Sequence, residues 1–109
     1  MQVDFERQGD RLIARLSGEL DHHAAAPLRE KIDEAVMRER CRGLTLDLGG
    51  LGFTDSSGVG LIMGRYRLMR SLGGDFAVRG AGGTMERMLR LAGLDKLPIW
   101  EENERRSSQ

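Results

Sequence analysis

A surplus of either charge is missing from this sequence: seventeen Lys and Arg stand against seventeen Asp and Glu, for a formal net charge of zero. Without a uniform positive field the chain has nothing with which to gather nucleic acid or an anionic lipid surface, so no nucleic acid and no membrane are expected as partners. Long hydrophobic runs are missing too; the apolar stretches last only a few residues, against about 20 for a bilayer span. The polar start, Met1-Gln2-Val3-Asp4-Phe5-Glu6, does not have the pattern of a secretory signal, and a cytoplasmic location is expected. Cysteine is scarce. The single Cys41 excludes an internal disulfide framework, and with only His22 and His23 beside it no closed tetrahedral zinc site is available from one chain, so no metal is expected. Proline occurs only at Pro27 and Pro98, whereas fifteen glycines are a high count for 109 residues and point to tight turns or close backbone approaches. That length suits one domain, and 39% hydrophobic with 31% charged residues lies outside the composition of disordered chains.

The hydrophobic pattern orders the chain. Val3 and Phe5, then Leu12, Ala14 and Leu16, alternate with polar residues on either side of Gly9-Asp10, the period of a strand hairpin. From Ala24 to Arg42 the residues Leu28, Ile32, Ala35 and Val36 recur at helical spacing, with Pro27 in the first turn or so and Asp21 as a candidate cap. Gly43 is expected to stop that helix, Leu44 to Leu48 to form a buried strand, and Gly49-Gly50-Leu51-Gly52 to bend the chain before Phe53. A second helix starts near Ser56 or Ser57, turns Val59, Ile62, Tyr66 and Met69 inward, and ends at Gly73-Gly74. Asp75 to Arg79 reads as a strand. Thr84 to Leu91 reads as a helix with Met85, Met88, Leu89 and Ala92 inward and Gly93 as its cap, and Leu97 to Trp100 as a last short strand. Strands alternating with helices of these lengths make an α/β layer with parallel pairs at the crossovers. Residues 1–100 form the domain and 101–109 a polar C-terminal tail.

Phe53-Thr54-Asp55-Ser56-Ser57-Gly58-Val59-Gly60 carries the most chemistry, because an acid and two hydroxyls stand where a strand hands over to a helix. Plain N-capping accounts for such residues; a phosphate on a serine there would also sit at a helix N-terminus, which favours negative charge. Gly58, Gly60 and Gly64 each cost a helix about 1 kcal/mol relative to Ala, so close packing on the sheet or the approach of another protein's backbone must offset them. Ser57 as a nucleophile lacks the glycine two residues earlier that a nucleophile elbow needs, Asp55 being there instead. Gly80-Ala81-Gly82-Gly83-Thr84 lacks the Lys-Ser/Thr ending of a phosphate-binding loop, so no nucleotide or other cofactor is expected. Cys41, between Arg40 and Arg42, reads as a passive thiol, with some activation by those neighbours as the alternative.

Two segments together carry a resemblance: Leu16-Ser17-Gly18-Glu19-Leu20-Asp21-His22-His23-Ala24-Ala25, and the run from Phe53 through Gly60 continued by Leu61-Ile62-Met63-Gly64-Arg65-Tyr66. The sequence resembles the anti-sigma factor antagonists, single STAS domains, and in particular their sporulation branch, whose members free the forespore sigma factor. The likeness runs from about residue 3 to residue 100. It implies a four- or five-stranded mixed sheet with helices largely on one face, and a binding protein rather than an enzyme. The implied partners are an anti-sigma factor with serine kinase activity and a metal-dependent serine phosphatase that reverses it. Only the unphosphorylated antagonist binds the anti-sigma factor. The phosphorylated serine of the family precedes the glycine, which here is Ser57, and Asp21 matches an acidic position of the binding surface. The implied surface therefore joins Asp21 and His22 to Asp55, Ser56, Ser57, Gly58 and Gly60. The end of the chain departs from the family, since Glu101-Glu102-Asn103-Glu104-Arg105-Arg106 lacks the apolar spacing of a terminal amphipathic helix. The alternatives are a non-switched STAS subunit of a transport or stress-sensing assembly and a small esterase using Ser57 and His22.

Overall fold

The computed structural model describes residues 1–101. Strand β1 (Gln2–Gln8) turns at Gly9-Asp10 into β2 (Arg11–Leu20), and helix α1 (His22–Glu39) leads to β3 (Gly43–Thr54). Helix α2 (Ser57–Ser71), β4 (Asp75–Arg79), α3 (Gly83–Leu91) and a 3-10 turn (Leu94–Lys96) complete the order. The sheet runs β1-β2-β3-β4, with β1 antiparallel to β2 and the pairs β2/β3 and β3/β4 parallel. This is the mixed α/β sheet expected, with four strands. The segment read as a fifth contributes one bridge, Val78 to Trp100, while Leu94 to Lys96 coils beneath it and accepts the Trp100 indole N–H on the Leu94 carbonyl at 3.0 Å.

Period 2 along the strands sends Leu12, Ala14 and Leu16 of β2, Leu44, Leu46 and Leu48 of β3, and Phe76 and Val78 of β4 to the face that carries the helices. Leu28, Ile32, Ala35 and Val36 of α1 and Leu61, Ile62 and Met69 of α2 meet them. Each of the Leu, Ile, Val, Phe and Met side chains among them contributes about 1.5–3 kcal/mol when fully buried. Ion pairs occupy the opposite face: Glu6 with Arg15 at 2.6 Å, Arg11 with Asp75 at 2.7 Å, and Arg79 with Asp47 at 3.0 Å and Glu101 at 3.6 Å. Ile13 and Thr45, neighbours in register, are buried on that second face.

Several local expectations change. Asp21 caps α1 as foreseen, its Oδ1 accepting the Ala24 N–H at 2.9 Å, but the helix starts at His22, which puts Pro27 in the second turn. Arg40, at φ 52°, takes the left-handed cap assigned to Gly43, which instead opens β3. The glycine cluster is no bend: β3 continues through Gly49 to Thr54 because β2 pairs with it as far as Leu20, with shifts of register absorbed on the way. Gly82 rather than Thr84 precedes α3, and of its expected inward residues only Leu89 is buried, with Met85 and Met88 at the rim and Ala92 exposed. Cys41 is half-buried, and burial pushes its thiol pKa up, which makes it inert. Of the tail, Glu101 pairs with Arg79; the rest of that expectation lies outside the described residues.

On α2 the inward stripe is rotated. Val59 and Tyr66 are half-buried, whereas Arg65 is 6% exposed, because its guanidinium reaches across to α1. Arg65 Nε lies 2.8 Å from Asp33 Oδ1, without the alignment of a hydrogen bond, and among the described residues Arg65 Nη1 has no partner. Loss of water pushes the Asp33 carboxyl pKa up and the Arg65 pKa down, each opposed by the partner's charge. Each charge thus loses more to desolvation than its partner returns in these shifts, the pattern in which removing one partner costs more than replacing both. Asp33→Ala, which leaves Arg65 buried alone, is expected to cost about 1–3 kcal/mol, below the ~3–5 kcal/mol of a fully enclosed pair. Asp33→Leu combined with Arg65→Met should leave stability unchanged or raised. Urea unfolding midpoints of the three proteins check this, and equal losses in both variants would contradict it.

Candidate functional site

The parallel register of β2 and β3 brings two helix starts together. Leu20 pairs with Thr54 at the ends of the strands, and the Asp55 N–H donates to the Leu20 carbonyl at 3.3 Å. Asp21 and Asp55 each follow directly, and α1 and α2 begin at His22 and Ser57. Two N-termini, each worth about half a positive charge, therefore point to the same end of the sheet.

At the α2 start the Ser57 N–H donates to Asp55 Oδ1 at 2.8 Å, so Asp55 rather than Ser56 supplies the capping oxygen. Ser56, at φ −63° and ψ −13°, has no side-chain capping bond and is exposed; Ser57 is half-buried. The Gly58 and Val59 N–H groups go to the carbonyls of Asp55 and Ser56 at 3.0 and 3.1 Å. The Ser57 N–H, then the Ser57 hydroxyl, and more weakly the His22 N–H hold the Asp55 carboxyl below the ordinary aspartate pKa. That last donor belongs to α1, so the charge of one junction is felt at the other.

The candidate residues are thus adjacent. Asp21 and His22 are exposed, with the His22 ring 5.9 Å from that of His23. Gly60 is exposed and Gly64, one turn on, is half-buried; a Cβ on either would meet nothing within 4 Å among the described residues. Gly58 corrects the expectation: it is buried, and a Cβ would collide with the Thr54 hydroxyl, so this glycine lets α2 start close against β3 instead of facing a partner. Phe53 is 52% exposed near the end of β3, two residues before Asp55, and stands outside the residues expected from the sequence, where a phenylalanine beside three glycines was the available signal. Among the described residues no cluster of three or more His, Cys, Asp or Glu is arranged to hold a metal, and no helix is long and apolar enough to cross a membrane.

A depressed carboxyl pKa contributes stability above the unfolded value and loses it as pH falls through the folded value. Asp55 should titrate below the aspartates for which no bond holds the charge, and the Ser57 amide shift should follow the same curve. Carboxyl and amide NMR between about pH 2 and 6 checks this, a range that spans the ordinary aspartate pKa of about 3.9. Asp55→Asn should flatten the Ser57 response, and an unchanged response would assign it to another group.

The family model described as Mlab, STAS domain, matches residues 2–99. The anti-sigma F factor antagonist of Paenibacillus polymyxa is 43% identical over 102 residues, covering 93% of this chain and 87% of that protein. Among solved structures, the anti-sigma factor antagonist SpoIIAA in its unphosphorylated form is similar with a TM-score of 0.71 and 29% identity, covering 98% of this chain and 96% of that one. The Bacillus cell fate determinant SpoIIAA in the phosphorylated form gives 0.72 and 30%, covering 98% and 97%.

Proposed function

From the premise that this chain belongs to the STAS domain family, we propose that it is an anti-sigma factor antagonist of the switched kind. In unphosphorylated form it binds an anti-sigma factor that is also a serine kinase, and phosphorylation of Ser57 ends the binding until a metal-dependent phosphatase removes the phosphate. The observation that carries this reading is the serine itself. Ser57 stands at the first position of α2, next to Asp55 and beside the Asp21 junction, in a chain 43% identical to an anti-sigma F factor antagonist. Exposure alone would rank Ser56 first; the family motif, with its serine directly before the glycine, selects Ser57.

The chemistry of the site suits a charge switch. Phosphoserine carries about −1.5 to −2 charge, which a helix N-terminus tolerates. The neighbouring Asp55 already supplies one negative charge, so a partner fitted to the unmodified surface meets a doubled anionic patch. Like-charge juxtaposition at an interface costs several kcal/mol, and at about 1.4 kcal/mol per decade the loss is roughly 100-fold or more. Gly60 and Gly64 fit the same reading, since among the described residues a Cβ on either would meet nothing within 4 Å, so no close approach inside the domain explains a helix cost of about 1 kcal/mol each.

With the anti-sigma F factor of Paenibacillus polymyxa as probe, phosphopeptide mapping after incubation with ATP should find phosphate on Ser57. Calorimetry should give roughly 100-fold weaker binding for the phosphorylated form, with Ser57→Ala binding as the unmodified protein does. Phosphate on Ser56 alone, or equal affinities, would sink the switch, and binding indifferent to Ser57 would favour a non-switched STAS subunit.

Asp21 needs a finer probe, because its carboxylate also caps α1. Asp21→Asn keeps a good N-cap and removes only the charge, whereas Asp21→Ala removes both and costs about 1 kcal/mol of helix stability. A carboxylate that meets a partner Arg or Lys predicts at least tenfold weaker binding for Asp21→Asn at unchanged thermal stability. Full affinity in Asp21→Asn would leave the residue a cap alone.

A further inference from the structure

Strand β3 is longer than the strand beside it. β4 pairs with β3 only between Gly43 and Asp47, whereas β2 accompanies it to Thr54, so the seven residues from Leu48 to Thr54 are paired on one side. The Gly49 N–H is taken by the Asp47 carboxylate at 2.9 Å, and Gly80 packs against Gly49 as the chain leaves β4. Beyond that point, among the described residues, no backbone bond from outside the sheet reaches residues 50 to 54. Met85 and Leu89 of α3 line a small apolar cavity together with Leu48, Leu51, Leu61 and Ile62, on the helix-bearing side of the sheet. Gly50, Gly52 and Phe53 are exposed.

Exposed strand edges ordinarily carry charge or proline that prevents pairing. The outer strand β1 obeys this with Asp4, Glu6 and Arg7. The free stretch of β3, Gly50-Leu51-Gly52-Phe53, has no charge and no proline. Its glycines also differ in what they do. A Cβ on Gly50 would press on the Leu16 carbonyl, so pairing with β2 requires that glycine. Gly52 is the extra residue where the register shifts, Leu51 pairing with Gly18 and Phe53 with Glu19, and a Cβ there would meet, among the described residues, only the Gly18 carbonyl at 4.0 Å. A glycine in a strand interior weakens the strand and marks a bulge, as here, or a place where another backbone can come close.

We infer that the free edge of β3 from Gly50 to Phe53 takes up an extended segment of the partner protein as an added strand, next to the Ser57 site. The inference rests on the binding reading above. A row of unpaired N–H and C=O groups is complementary to another extended backbone, and main-chain bonds supply affinity in such strand addition while flanking pockets supply selectivity. Phe53 offers the apolar contact. The edge ends at Thr54, so the added strand lies within a few residues of the phosphorylation site, and one partner can engage both.

Hydrogen exchange by NMR on the wild-type protein, alone and with the anti-sigma F factor of Paenibacillus polymyxa, tests this without a variant. At least one amide among residues 50 to 53 is expected to exchange at least tenfold more slowly in the complex. Gly52→Pro, checked for an intact amide spectrum, is expected to weaken binding at least tenfold. If the probe binds and perturbs residues 21, 22 and 55 to 60 while the edge amides exchange as before, the edge inference falls and the binding reading stands. No binding overturns both. Protection of the edge in the free protein that grows with its concentration would assign the edge to a second copy and overturn the inference.

Discussion

The parallel pairing of β2 with β3 is the constraint on which the rest depends. Because Leu20 and Thr54 end their strands side by side, the two helices that follow must begin at one end of the sheet. Asp21 then caps α1 at the Ala24 N–H, and Asp55, one residue further from its helix, holds the Ser57 N–H at the start of α2. Neither junction alone would make a recognition surface. Together they place two helix N-termini, two carboxylates and two serine hydroxyls at the ends of paired strands, although the junctions are more than thirty residues apart in the chain. A shift of β3 by one residue would turn Leu44, Leu46 and Leu48 away from the helices, so the apolar core enforces the register that assembles the site.

What was legible in the sequence follows from the range of the interactions concerned. Capping is local, so Asp21, Asp55 and the α2 start near Ser57 could be read from residue type and order. The inward stripe of α1 was legible for the same reason, since Leu28, Ile32, Ala35 and Val36 follow the helical period without a charged intruder. The rotation of α2 was not, because Arg65 is buried only through Asp33, thirty-two positions earlier and on another helix. The glycine cluster misled in the same way: Gly49-Gly50-Leu51-Gly52 has the composition of a bend, and only pairing with β2 holds it extended. Strand propensity is a property of the neighbours as much as of the residues.

Within the site, residue identity was easier to read than residue role. Gly58 and Gly60 look alike in sequence, two glycines in the first turn of a helix. The structure separates them: the first is forced by Thr54, and the second faces open space. On β3 both glycines belong to the pairing with β2: Gly50 avoids the Leu16 carbonyl, and Gly52 falls at a shift of register. A glycine demanded by the chain's own packing says nothing about partners. One that the described fold leaves unexplained carries a helix penalty, and here Gly60 and Gly64 stand on the helix that begins at Ser57.

Magnitudes decide whether a switch at this position would act through the fold or at its surface. Helix α2 is anchored by Leu61, Ile62 and Met69, three side chains contributing about 1.5–3 kcal/mol each. A charge at an exposed helix N-terminus is worth about 0.3–1 kcal/mol, and favourably signed for an anion. Opposing it is the Asp55 carboxylate, itself open to water, which screens the repulsion strongly. The net local term is too small to dislodge α2, and the buried anchors lie one turn and more away from Ser57. In a complex the balance changes, because a partner that excludes water removes the screening while leaving both negative charges in place. The same phosphate is therefore nearly neutral to the free domain and costly to the bound one. That asymmetry is what a switch requires, and it comes from placing the serine at a solvent-exposed helix start on a rigid sheet.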